Sequence, residues 1–168
     1  AVGLAGGAVL SLMITILGPL SGGHFNPAVT IAFALRGEIA WDRGAAYIAA
    51  QVVGGVVGVA LANVMFGHGL LEMSATSRMG GGLWLGEIIA TFALVFTVLM
   101  TVAKAPGATP WAVGTVLAAG HFFTASGAFA NPAVTIARLF TNSFTGIDAP
   151  SVFPFVVAEL VGAVVAVA

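Results

Sequence analysis

Five apolar runs divide the chain, at about 1–18, 45–66, 83–103, 111–125 and 152–168. Polar or turn-rich stretches separate them: Arg36-Gly37-Glu38 with Asp42-Arg43-Gly44, Glu72 to Gly82, Lys104-Ala105-Pro106-Gly107, and Asn142 to Pro150. A helix that crosses a bilayer needs about 20 mostly apolar residues, and the pattern predicts five such helices. Trp41, Trp84 and Trp111 stand at the edges of runs, where an indole suits the membrane interface. Gly54, Gly58 and Ala62 recur at helical spacing, which predicts a close helix–helix approach in lipid.

Two further segments, Asn26 to about Arg36 and Asn131 to about Phe140, are too short to span. Each opens Asn-Pro. Asparagine caps a helix well, and proline fits the first helical position, where its missing N–H would have no partner. A helix of about ten residues is ~15 Å long, half of a ~30 Å hydrocarbon core. The two segments read as half-helices that dip into the membrane and return.

Internal repetition sets the architecture. Asn26-Pro27-Ala28-Val29-Thr30-Ile31-Ala32 recurs as Asn131-Pro132-Ala133-Val134-Thr135-Ile136-Ala137, and Ser21-Gly22 before the first copy matches Ser126-Gly127 before the second. Ala50-Gln51-Val52-Val53-Gly54-Gly55-Val56-Val57 is echoed by Ala158-Glu159-Leu160-Val161-Gly162-Ala163-Val164-Val165, and Ala1-Val2-Gly3 more weakly by Ala112-Val113-Gly114. Each half reads helix, half-helix, helix, giving repeats over 1–66 and 83–168 of a single channel domain. The run at 83–103 has no twin, so a sixth spanning helix is expected ahead of Ala1. Three spans lie between the half-helices. They therefore enter from opposite sides, the repeats are inverted, and the half-helices meet N-terminus to N-terminus near the midplane.

Composition agrees. Of the 168 residues 60% are hydrophobic and 7% are charged, against about 25% charged in an ordinary soluble domain, and a soluble surface cannot be built from so few charges. Disordered chains are poor in apolar residues, so disorder is excluded too. The absence of cysteine removes disulfide frameworks and thiol chemistry. A net charge of −1 with five scattered basic residues offers no nucleic-acid surface. No cofactor or metal site is expected.

Irregular backbone at membrane depth must be buried in protein or line a watery cavity. Gly22, Gly23, His24 and Phe25, and Gly127, Ala128, Phe129 and Ala130, are the irregular stretches, and their carbonyls can form an acceptor ladder. Asn26 and Asn131 offer amide donors if their own carbonyls cap the half-helices. Helix N-termini there disfavour a cation, while a neutral hydroxylated solute meets no such barrier. A single Asn-Pro-Ala is commonly only a helix start; two seven-residue copies in mirrored contexts point to a pore. Glu87 and Glu159 lie within apolar runs, where a carboxylate marks either function or inward hydrogen bonding. The structural role is favoured, with each receiving N–H groups from a re-entrant loop, and Gln51 stands opposite Glu159 in the repeat. His24 and His121 are either satisfied bundle histidines or pore-lining groups.

The doubled Asn-Pro-Ala-Val-Thr, the Ser21-Gly22-Gly23-His24-Phe25 before its first copy, and Gly86-Glu87-Ile88-Ile89-Ala90-Thr91-Phe92 resemble the aquaporin and aquaglyceroporin (major intrinsic protein) family over essentially the whole chain. The resemblance implies a right-handed bundle of six helices with two re-entrant half-helices, assembled as a homotetramer with one pore per subunit in the cell membrane. Solutes would be water, glycerol or related neutral molecules. It also implies that the loops holding Arg36, Arg43 and Lys104 are cytoplasmic, with Arg78 and Arg138 outside. The family has Arg directly after the second Asn-Pro-Ala, lining the outer constriction; here Val134 stands there, and Arg138, one turn on, is not expected to replace it. The remaining filter positions fall by count at Gly6, Ala119 and Ala128, with His121 the alternative to Ala119. Such a filter is wide and lacks a fixed cation. In this it resembles the bacterial arsenic-resistance aquaglyceroporins, which pass arsenite, and it points to a bacterial inner membrane.

Other readings are a water channel with relaxed selectivity, an inverted-repeat secondary transporter and a structural junction protein. A transporter would need titratable groups at the midplane, and the motifs supply amides instead. No nucleophile–base pair or metal-ligand cluster supports an enzyme.

Overall fold

The computed structural model describes residues 2–168, an all-helical bundle. Ala1, which opens the first apolar run, lies outside the described residues. Long helices α1 (Val2–Ser21), α3 (Trp41–Met65), α4 (Gly81–Lys104), α5 (Thr109–Phe123) and α7 (Ala149–Val167) arise from the apolar runs. Short helices α2 (Pro27–Leu35) and α6 (Pro132–Ala137) follow the two Asn-Pro pairs.

Helix boundaries depart from the apolar runs where polar residues stabilise ends. α3 starts at Trp41, because Asp42 lies in its first turn, at the positive end of the helix dipole. α7 starts at Ala149, because the Asp148 carboxylate accepts from the Ser151 N–H at 3.2 Å. α5 has 15 residues, ~22 Å of rise, and the three-residue 3₁₀ turn Pro106–Ala108 ahead of it adds ~6 Å. α6 stops after six residues and continues as a 3₁₀ turn, Arg138–Phe140. Carbonyls in that turn accept from distant donors: Arg138 O from Ile147 N at 3.3 Å, Leu139 O from Ser74 N at 2.9 Å and Phe140 O from Glu72 N at 3.0 Å. The longer half-helix expected from the sequence is cut short by these crossing loop segments.

Helix α1 runs along α5 and α4 along α7, while α3 packs on α6 and α7 on α2. Exchanging the halves maps the α1–α5 contact onto itself and the α3–α6 contact onto α7–α2, while α4–α7 has no counterpart among the described residues. Glu87 and Glu159 are fully buried, whereas Leu20 is 80% exposed and Leu61 67%. Helices α1, α3, α4 and α7 are long and apolar enough to cross a membrane. Trp41 and Trp111 are exposed near helix starts, but Trp84 packs inward against the Phe129, Ile147 and Phe155 cluster.

Close approach falls at other glycines than the spacing pattern indicated. Gly7 and Gly114 lie face to face, and a Cβ on either would collide with the other's carbonyl. Gly162 lies against the Ile88 carbonyl of α4, and Gly55 faces Ala133 and Ala137 of α6. A Cβ on Gly54 or Gly58 would meet nothing within 4 Å. Periodicity identifies a small-residue face, but the partner's position decides which glycine on it is used.

Gly162→Ala should therefore cost about 1–3 kcal/mol through overpacking against α4. Gly82→Ala, with open space around the added methyl, should be neutral or slightly stabilising. Thermal unfolding of the detergent-solubilised protein would separate the two, and equal melting temperatures would refute the packing assignment.

Candidate functional site

The half-helices meet tip to tip through two crossed hydrogen bonds. Asn26 Nδ2 donates to Ala130 O at 2.6 Å, and Asn131 Nδ2 donates to Phe25 O at 2.9 Å. The same side chains cap their own helices. Asn26 Oδ1 accepts from Ala28 N at 2.8 Å, and Asn131 Oδ1 accepts from Ala133 N at 3.0 Å and Val134 N at 3.4 Å. An amide suits this position because it offers an acceptor to one helix and a donor to the other. Pro27 and Pro132 occupy the first helical positions, and Pro27, Ala28, Pro132 and Ala133 are buried.

Buried side chains hold the loops before each tip. Glu87, on α4, accepts from Phe129 N at 2.9 Å with one oxygen and from Ala130 N at 2.7 Å with the other. Glu159, on α7, accepts from Asn131 N at 3.0 Å and from the Thr135 hydroxyl at 2.6 Å. In the other half Gln51 reverses the polarity. Its Nε2 donates to His24 O at 2.6 Å and to Thr30 Oγ1 at 2.9 Å, and the Thr30 hydroxyl donates to Asn26 O at 3.1 Å.

The loop backbones need these anchors. Gly22, Gly23 and Gly127 have φ of 78°, 67° and 82°, as turns with left-handed residues require. Ala128 and Ala130 also have positive φ, 47° and 48°, a conformation that costs a non-glycine residue of order 1–3 kcal/mol. The two Glu87 hydrogen bonds fall on Phe129 and Ala130, within this strained stretch.

A cavity of about 400 Å³ runs alongside the junction. Gly22, Gly23, His24, Phe25 and Asn26 line it from one half, and Ala128, Phe129, Ala130, Asn131 and Val134 from the other. Gly6 and His121 also line it. Ala119 does not; it is exposed on the outside of α5, so of the two alternatives only His121 faces the cavity. His121 Nδ1 lies 2.9 Å from Leu117 O, while His24 packs on Phe33 and Tyr47 at ring separations of 4.7 and 5.8 Å. Gly127 shapes its turn without lining the cavity. Val134 also lines a second cavity, together with Gln51, Gly54 and Gly55 of α3.

Two arginines take positions that the local sequence pattern does not announce. The count that places Val134 at the constriction leaves the wall without a cation, but Arg138 lines the cavity. Arg78 locks the loop after α6: its Nε donates to Gly146 O at 2.7 Å, its guanidinium also reaches Phe144 O and Ser126 O, and its N–H donates to Ser151 Oγ at 2.9 Å. Burial lowers the Arg78 pKa from its ordinary value, and the Glu87 charge raises it. No local motif announces the role of Arg78, because its partners lie about 50 to 75 residues away in sequence.

Two re-entrant half-helices meeting beside a cavity, within a bundle that buries two carboxylates and exposes apolar helix faces, define a membrane channel. Comparison with known proteins agrees: the major intrinsic protein family matches residues 1–125 and 104–168, and the chain belongs to that family, whose members are channels rather than enzymes. It is 50% identical over 165 residues to the aquaglyceroporin AqpS of Rhizobium meliloti, covering 98% of this chain and 71% of that protein. It is 34% identical over 144 residues to human aquaporin-4, covering 79% and 44%, and 34% identical over 174 residues to the maize aquaporin NIP1-1, covering 97% and 59%. The chain thus spans less than two thirds of the latter two relatives.

Glu87→Gln removes one of two acceptors and leaves an N–H of the strained loop unpaired. The expected cost is about 1–3 kcal/mol, with faster hydrogen exchange at the Phe129 and Ala130 amides. Unchanged exchange at both amides would show that the carboxylate does not hold the loop.

Proposed function

We propose that this chain forms a passive channel for small uncharged polar solutes: water, glycerol-like polyols and neutral metalloid hydroxides such as arsenous acid. The observation that carries the reading is the crossed Asn26 and Asn131 contact with a cavity running past it. Each amide spends one N–H across the junction and keeps the other for a passing solute. The carbonyls of Gly22, Gly23 and Ala128, on the cavity wall, supply acceptors. Leu94, Val98, Val113 and Leu117 form an apolar wall opposite, so a solute is held at few points and released easily. Among the described residues the lining contains no carboxylate, which argues against cation-coupled transport. The unit comprises inverted repeats over 1–66 and 83–168, assembled as a homotetramer in a bacterial inner membrane. The bacterial relative's name, aquaglyceroporin, supports solutes larger than water.

A second reading, a water channel with relaxed selectivity, gains from His121 facing the cavity where the small Ala119 does not. A bulky polar ring narrows the wall relative to the filter counted from the sequence.

Stopped-flow light scattering on proteoliposomes of the full-length protein tests both. Water, glycerol and arsenous acid fluxes should all exceed those of empty vesicles. Val134→Arg should cut glycerol and arsenous acid several-fold more than water. Flux of water alone would select the second reading, and solute fluxes unaffected by the substitution would place Val134 outside the constriction.

A further inference from the structure

Asn131, Val134 and Arg138 follow one another at helical spacing along a single wall of the cavity. Arg138 stands in the 3₁₀ turn that replaces the end of α6. Its guanidinium carbon lies 4.0 Å from the centre of the Phe129 ring. That ring is itself braced edge-to-face on the fully buried Phe155, at 5.4 Å. The platform is rigid, because Glu87 fixes the Phe129 backbone N–H at 2.9 Å. A guanidinium over an aromatic face is held by attraction to the ring quadrupole without using its hydrogen-bond donors.

The contrast with Arg78 is informative. Arg78 also approaches Phe129, at 4.8 Å, but donates to the carbonyls of Gly146, Phe144 and Ser126 and does not line the cavity. Arg138 makes no side-chain hydrogen bond or ion pair among the described residues, and none of its nitrogens is sealed away from solvent-accessible space. An arginine carries five N–H donors, and an unpaired buried charge is costly. These donors are therefore directed at whatever occupies the cavity.

We infer that Arg138, stacked on Phe129, supplies the fixed cation and the hydrogen-bond donors of the solute-selecting wall, one helical turn beyond Val134. The inference rests on the channel reading above and assigns its charge selectivity to this side chain. A positive charge beside a narrow aqueous path repels cations, while its N–H groups donate to the hydroxyl oxygens of a neutral polyol.

The test uses proteoliposomes of the full-length protein, with potassium flux, water flux and glycerol flux read in parallel. Arg138→Met should raise potassium leak at least tenfold, Arg138→Lys should keep it near the wild-type level, and Val134→Arg combined with Arg138→Met should restore exclusion. Potassium leak within twofold of wild type in Arg138→Met would overturn the inference. If that variant does not assemble, phenylglyoxal treatment of the wild type followed by peptide mapping decides. An adduct on Arg138 accompanied by potassium leak supports the assignment, and an unmodified Arg138, or modification without leak, overturns it. Wild-type vesicles no more permeable than empty ones to water or glycerol would refute the channel reading instead.

Discussion

Two asparagine side chains bear the constraint on which this fold depends. In hydrocarbon an unpaired backbone N–H or carbonyl costs several kcal/mol, so chain that enters the bilayer without completing a helix must find partners inside the protein. Asn26 and Asn131 solve this for both tips at once, since each caps its own helix and donates to the loop of the other half. A substituent with only one kind of polar group would leave either a cap or a crossing bond unmade. The long helices are arranged to deliver these tips to one point. α7 brings Glu159 to Asn131, α4 brings Glu87 to the loop before it, and α3 brings Gln51 to its counterpart.

The two halves meet the same requirement with different chemistry. The first loop uses two glycines at positive φ; the second uses glycine and two alanines. The alanines are strained, and there a carboxylate grips two consecutive N–H groups. Gln51 donates where Glu159 accepts, and the threonines beside them turn their hydroxyls accordingly. The cavity inherits this asymmetry. The first half contributes His24 and two glycines at positive φ to its wall, and the second contributes a braced phenylalanine with an arginine stacked on it.

Much of this was legible in the chain. Spanning helices follow from the lengths of the apolar runs, because lipid demands continuous apolar surface. The half-helices follow from Asn-Pro openings with too few residues behind them. Their meeting follows from the repeat and from the odd number of spans between its copies. Glu87 and Glu159 could be placed in a structural role because a carboxylate among apolar residues needs donors, and the irregular loops are the segments with donors to spare.

What the chain could not disclose depends on contacts between residues far apart in sequence. The end of α6 is set by backbone donors from around positions 72–74 and 147. The choice of Gly55 over Gly54 for close approach is set by where α6 comes to rest. His121 faces the cavity and Ala119 does not because the rotation of α5 follows from its packing on α1. Arg138 joins the cavity wall because Phe129 offers it a ring, and Phe129 is held there by Glu87 and Phe155. The sequence by itself determined where the apolar runs and the two Asn-Pro helix starts fall and that the motif is repeated, since these follow from local periodicity and repetition. Only the tertiary structure decided which side chains line the cavity, since that depends on the rotation of each helix and on aromatic and carboxylate contacts that no local pattern encodes.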